Sequence, residues 1–242
     1  MDILTMILTI LGALALLLAA VVAAMLVRFY LGRRRADRIW ATARYPKLRD
    51  VGTVKQLSIL PLIDRKTARD DLAGEPGVAY LIRADDTTIL FDVGLNRHGE
   101  HPSPLLRNMQ ALGVTLEEID CLVFSHLHLD HVGGMKQQRQ RTFALSGEPA
   151  NLAGKTALVP TPMTHPTAQV EVVEGPRVIT PGVVSLGPIP RQLFFMGWTP
   201  EQSLAVDVKG KGIVLISGCG HSTLQRILDR AEMLFDEPIY GI

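Results

Sequence analysis

The sequence predicts an α+β sandwich carried behind one apolar N-terminal helix. Residues 3–27 hold no charged side chain, which sets the leader apart from everything after it. From Val54 onward, short apolar runs broken by turn residues mix with a few amphipathic stretches, the pattern of strands and helices in mixed order. One such run, IDCLVFSH, passes directly into HLHLDH, where four of six side chains can ligate a metal.

The apolar fraction of 47% excludes a disordered chain, and a net charge of +1 over 242 residues excludes binding to nucleic acid through bulk charge. That average conceals a division. Residues 28–49 carry eight basic side chains against one acid, Asp37, while the remainder of the chain after residue 49 is mildly acidic. We therefore divide the chain into a leader, residues 1–50, and a folded domain, residues 51–242.

Ile3 to Val27 includes 14 Leu, Ile or Val residues, one glycine and no proline. As a helix this stretch is about 37 Å long, against a hydrocarbon core of about 30 Å. Each large aliphatic residue favours the bilayer centre by about 0.3–0.6 kcal/mol, so insertion is expected. A buried core helix of this length would show a polar stripe, and a cleaved signal would have its basic residues before the apolar run. Here Arg28, Arg33, Arg34, Arg35 and Arg38 follow it. This asymmetry predicts a single-pass helix embedded in lipid, with the N-terminus outside and the domain cytoplasmic. Two widely separated cysteines, Cys121 and Cys219, suit a reducing compartment.

The basic stretch after the span is expected to stay helical until about Pro46 to Gly52. KQLSILPLI, VAYLIRA and TTILFDVG read as strands, with Asp85-Asp86 as a turn. PSPLLRNMQAL reads as a short helix ended by Gly113. IDCLVFSH is a buried strand, residues 136–156 are expected to be irregular, and ALVP begins another strand. Seven prolines between 160 and 190 predict a loop-rich excursion with short strands. SLAVDV and GIVLISG are strands around the turn KGKG, STLQRILDRAEMLF is an amphipathic helix, and PIYGI begins as a strand.

His126, His128, Asp130 and His131 are nitrogen and oxygen ligands suited to one or two divalent ions, zinc first, with iron and manganese as further fits. On extended chain, residues two apart point the same way, so His126 and His128 reach one ion together. A bend beyond them turns Asp130 and His131 to a second position. His221, between glycines after the strand GIVLISG, is the natural third nitrogen. Cys219 either shares that direction or is an ordinary small buried thiol. Asp92, closing TTILFDVG, either orients a histidine or caps a turn.

FSHLHLDHVGG resembles the H-x-H-x-D-H signature of the metallo-beta-lactamase fold superfamily, and ILFDVG resembles the strand and acid that precede it. LGPIPR, PEQSLAV and ISGCGH resemble the superfamily's 7,8-dihydropterin-6-methyl-4-(beta-D-ribofuranosyl)aminobenzene-5'-phosphate synthase-like branch. The similarity covers residues 54–242. It implies an αββα sandwich with metals at one edge: His126, His128 and His221 around one ion, Asp130 and His131 at the other. Relatives of this branch continue into a Gly-Gly-x-His segment that supplies a further ligand, so the resemblance implies a C-terminal strand and helix that this chain lacks. His98, His101 and His165 are substitutes for that ligand or, alternatively, loop and pocket residues.

These features predict a membrane-anchored, metal-dependent hydrolase of an ester, lactone or phosphoester-type small molecule. A bound metal lowers the pKa of water from 15.7 to about 7, giving hydroxide at neutral pH, and Asp130 is the expected catalytic residue, orienting it. The alternatives are a pterin-type synthase and a shortened, non-enzymatic metal-binding module. Met163, His165, Phe194, Phe195, Met196 and Trp198 are candidate pocket walls, although an apolar core accounts for the aromatics equally well.

Overall fold

The structure, a computed structural model, describes residues 2–242. It divides into two units: the N-terminal segment to Ala43 with Pro190–Thr199, and Arg44–Ile189 with Pro200–Ile242.

In the first unit, α1 (Ile3–Thr42) is one unbroken helix of 40 residues. Asp2 caps it by accepting from Thr5 N at 2.7 Å, satisfying one of the free amides of the first turn. The helix ends at Thr42, earlier than the sequence suggested. Pro46 disfavours helical backbone at the residue before it, and the chain is already extended at Ala43. By length and composition α1 is able to cross a membrane. Residues 190–199 belong to a two-stranded hairpin, β9 (Ile189–Leu193) and β10 (Gly197–Glu201).

The second unit is built on two sheets. The first has the order β1 (Leu57–Ile63), β2 (Ala79–Ala84), β3 (Thr87–Phe91), β4 (Cys121–Val123), β5 (Thr156–Val159), β6 (Gln169–Val172). Its first three strands are antiparallel neighbours, and β3 to β6 run parallel. Pro61 sits in β1, an edge strand, where a missing N–H is tolerated, and the register shifts beside it. The second sheet contains β7 (Arg177–Thr180), β8 (Val183–Ser185), β11 (Leu204–Val208), β12 (Gly212–Ile216) and β13 (Ile239–Gly241), in the order β13-β12-β11-β8-β7.

Strand alternation sorts side chains into layers. In the first sheet Ile89, Phe91, Val123 and Leu158 join Leu204, Val206 and Ile216 of the second in one buried cluster. The intervening residues Leu90, Leu122 and Ala157 turn the other way and pack with Leu105 and Met109 of α2 (Pro104–Ala111). Likewise Ala205, Ile213 and Leu215 of the second sheet meet Ile227, Ala231 and Leu234 of α4 (Leu224–Leu234). Both faces of the central strands β3, β4, β11 and β12 are covered, which explains why these read as continuous apolar runs. The result is the expected α+β, αββα sandwich. Residues 136–156 are not wholly irregular, since α3 (Met135–Gln140) forms there.

Candidate metal centre

Among the described residues, His126, His128, His131 and His221 of the predicted ligands come together where strands of both sheets end, whereas Asp130 lies beside His131 outside both ligand groups. Parallel β3 and β4 deliver Asp92 and Ser125-His126 from their carboxyl ends, the place where open sheets leave room for ligands. From the second sheet, β12 delivers Ser217 to His221, and β11 begins directly after Glu201 to Ser203.

His126, His128 and His221 bring one ligand nitrogen each to within 4.8 Å of one another; a second such group is His126, His131 and Cys219. The rings of His126 and His128 lie 4.4 Å apart, and each lies 4.8 Å from His221. After His128 the chain turns tightly, with His131 N donating to His128 O at 3.0 Å and Gly134 N to Leu129 O at 2.7 Å. That turn brings Asp130 Oδ2 to 3.8 Å from His131 Nε2. Gly77 supports the turn from outside: its φ is +93°, and a Cβ there would collide with the Asp130 carbonyl.

Asp92 organises the centre. It is buried, and its carboxylate accepts from Ser125 N at 2.7 Å, from Ser125 Oγ at 2.5 Å and from His131 Nδ1 at 2.7 Å. With its proton committed to Asp92, Ser125 Oγ is left to accept from His126 Nδ1 at 2.9 Å. The lone pair of His126 is thereby directed to Nε2. His126 Nε2 and His221 Nε2 are both buried with no hydrogen-bond partner. An orphaned buried imidazole nitrogen is costly unless something fills its lone pair. Two of them in one histidine cluster suit a divalent cation, and the donor set fits it.

The charges follow this arrangement. Burial, assisted by the neighbouring imidazoles, holds the His126 pKa well below that of a free histidine. Burial and His221 likewise push His128 down to about 4. Both are therefore neutral at physiological pH, the state in which an imidazole offers its lone pair to a metal without first releasing a proton. Burial also opposes a charge on His131, but the Asp92 carboxylate beside it prevails and holds its pKa well above the usual value. Cys219 Sγ lies 3.0 Å from His131 Nε2. Burial raises the thiol's pKa, yet hydrogen bonds with His131 and His221 outweigh that and lower it. The bond to Cys219 raises the pKa of His221 in turn.

Two participants escape sequence reasoning. Glu201 is 1% exposed and accepts from Gly220 N at 2.8 Å, Ser222 N at 2.9 Å and Cys219 N at 3.1 Å, so it holds the loop that presents Cys219 and His221. Gln202 donates to Phe124 O at 2.8 Å and accepts from Ser185 Oγ at 2.7 Å, tying the two sheets together behind His126. The sequence signals were two polar residues opening an apolar strand and the family-like motif PEQSLAV that contains them, neither of which assigns the two residues a role. Among the described residues, the substitutes do not join the ligand groups. His101 Nδ1 lies 2.8 Å from Ser146 Oγ, His165 stacks on Phe143 at 4.5 Å, and His98 is exposed. Met163 is buried in the core under the first sheet, and Phe194, Phe195, Met196 and Trp198 group with the helical unit.

Residues 72–233 match the family described as the Metallo-beta-lactamase superfamily. The chain therefore belongs to that superfamily, a fold that implies divalent metal binding. Among curated relatives, an N-acyl homoserine lactonase of Bacillus cereus is 23% identical over 195 residues, 68% of this chain and 75% of that protein. A transcription termination factor of Cenarchaeum symbiosum is 38% identical over 53 residues, 22% of this chain and only 8% of the relative's length. A crystal structure of a quorum-quenching N-acyl homoserine lactone lactonase covers 78% of this chain and 91% of its own at 18% identity, with a TM-score of 0.47. A metallo-beta-lactamase of Cronobacter sakazakii covers 57% and 56% at 20% identity, with a TM-score of 0.36.

Proposed function

We propose that this chain is a membrane-anchored, metal-dependent hydrolase of a small ester, lactone or phosphoester. The observation that carries the reading is the pair of orphaned Nε2 atoms, on His126 and His221, in a cluster of five residues completed by His128, His131 and Cys219. His126, His128 and His221 would hold one cation, and Asp130, His131 and Cys219 a second. Bound there, divalent ions supply Lewis acidity and an acidified water, zinc being the first fit to the nitrogen-rich donor set and iron or manganese the next.

The chain's own groups do the rest. Asp130 is partly exposed beside His131 Nε2, so its carboxylate can take a proton from the attacking water and return it to the leaving oxygen. Asp92 and Ser125 fix the tautomers of His131 and His126, and Glu201 fixes the loop carrying His221. A cavity of about 500 Å³ opens beside the turn, lined by Leu95, Leu129 and Met135 with Arg97 and Lys136. A mixed lining of apolar side chains, the amides of Asn96 and Gln137 and two cations suits an acyl or lactone body bearing an anionic group.

The lactonase relative supports the lactone class. The synthase reading rests on LGPIPR, PEQSLAV and ISGCGH, and two of these have structural duties here: Glu201 and Gln202 brace the centre, and Gly218 permits close approach. Such duties serve any substrate of the fold, so these motifs do not favour a pterin. For the anchor, α1 spans the bilayer with its N-terminus outside, and residues 51–242 form the cytoplasmic catalytic domain.

Elemental analysis of the purified chain and of a His126→Ala/His128→Ala variant tests the reading. One to two divalent ions per chain are expected in the first and at most a trace in the second. Equal metal content in both would overturn it. A panel of lactones, esters and phosphodiesters then identifies the bond cleaved.

A further inference from the structure

The β9–β10 hairpin lies along α1 in a definite order. Near its base, Arg191 pairs with Asp37 at 3.9 Å and Trp198 lies under the Arg35 guanidinium at 4.8 Å. Further along, Gln192 packs where Gly32 has no side chain. At the tip, Phe194 meets Phe29 edge-on at 5.5 Å, and a small cleft there is lined by Met25, Arg28, Phe195 and Met196. The contacts descend the helix from residue 37 to residue 25, so the hairpin points towards the uncharged stretch that ends at Val27. At 1.5 Å per residue, Phe29 stands about 3 Å beyond that end.

The tip is also conspicuously bare. Phe195 is 86% exposed, the most exposed large apolar side chain among the described residues, and the adjacent Met196 is 61% exposed. Phe195 touches the ring of Phe194 at 4.8 Å and projects beyond it. Two consecutive large apolar side chains at a turn are costly in water. Arg28, Arg33, Arg34 and Arg35 surround this level of the helix, the charge expected beside anionic headgroups.

We propose that the Phe194-Phe195-Met196 tip is a second membrane contact, inserted into the interfacial layer of the leaflet where α1 emerges. This rests on the reading of α1 as a span. Continuity with the uncharged stretch, the basic collar and the bare tip all favour lipid as the occupant. Two contacts on one leaflet would fix the depth and tilt of the helix end together with the hairpin packed against it.

The full chain carrying Phe195→Trp, reconstituted in phosphatidylcholine–phosphatidylglycerol vesicles, tests this. The emission added relative to wild type should fall about two-fold or more with lipids brominated near the headgroup end of the acyl chain, and resist aqueous acrylamide. Carbonate extraction of the same sample checks the span. A chain retained after carbonate whose added tryptophan is open to acrylamide and untouched by bromolipid overturns the hairpin contact and leaves the span standing. Retention with shielding from both quenchers shows a protein partner on the tip and likewise overturns it. Release by carbonate defeats the span reading, and the proposal with it.

Discussion

Asp92 illustrates how much one side chain can decide. At φ +59° it occupies left-handed backbone, which aspartate tolerates better than most residues, and from there its carboxylate serves Ser125 and His131 together. Asp92→Asn keeps the shape but removes the charge, so His131 loses the partner that orients it; metal affinity should fall about 10- to 100-fold by competitive chelator titration. Glu201→Gln should cost a similar factor, because an amide brings donors to a pocket where Cys219, Gly220 and Ser222 already present N–H groups. Titration gives a further expectation. His128 has a pKa of about 4 in the ion-free fold against 6.5 for the free group, so between these values the unfolded chain binds more protons. The ion-free protein should therefore lose stability as pH falls from 6.5 towards about 4. His126 is lowered too and acts in the same direction, whereas His131, being raised, adds stability below 6.5 that disappears as pH climbs through its folded value. Urea midpoints measured across this range check the sign.

At the scale of elements, the centre depends on two loops from different sheets approaching within contact distance. Gly218 makes this possible: a Cβ there would overlap Ser125 Oγ and lie 3.2 Å from Asp92 Oδ2. Gly218→Ala should destabilise the fold by about 1–3 kcal/mol through overpacking and weaken metal binding, because the strain falls on the Ser125–Asp92 pair. Thermal unfolding with and without added zinc separates the two effects.

For the molecule as a whole, the unpaired nitrogens mean that a ligand adds stability which the packed layers alone lack. At a free concentration 100 times its dissociation constant, a single bound ion contributes about 2.7 kcal/mol. For a domain of this size that raises the midpoint by about 5–10 °C, reversible by chelator. Scanning calorimetry should show this gain at pH 7.5 and a much smaller one at pH 5, where protons compete for the imidazoles. No gain at either pH would argue against a metal centre.

The uncharged run at residues 3–27, the strand periodicities and the HLHLDH cluster were legible in the sequence because each is local. A helix needs only consecutive apolar residues, a strand only alternation or a short apolar run, and a ligand pair only two side chains two residues apart. Whatever depends on distant chain meeting distant chain was not legible. Glu201 looked like any strand-edge acid until the fold laid the His221 loop over it, and Cys219 stayed ambiguous until His131 was placed 3.0 Å away. Phe194 to Met196 read equally well as pocket or core, and only the hairpin's course along α1 shows them bare. Local patterns are set by bonded geometry and the side chain's preference for water or oil, both written residue by residue. Burial of a carboxylate, or exposure of a phenyl ring, is set by which surfaces the packed layers happen to cover.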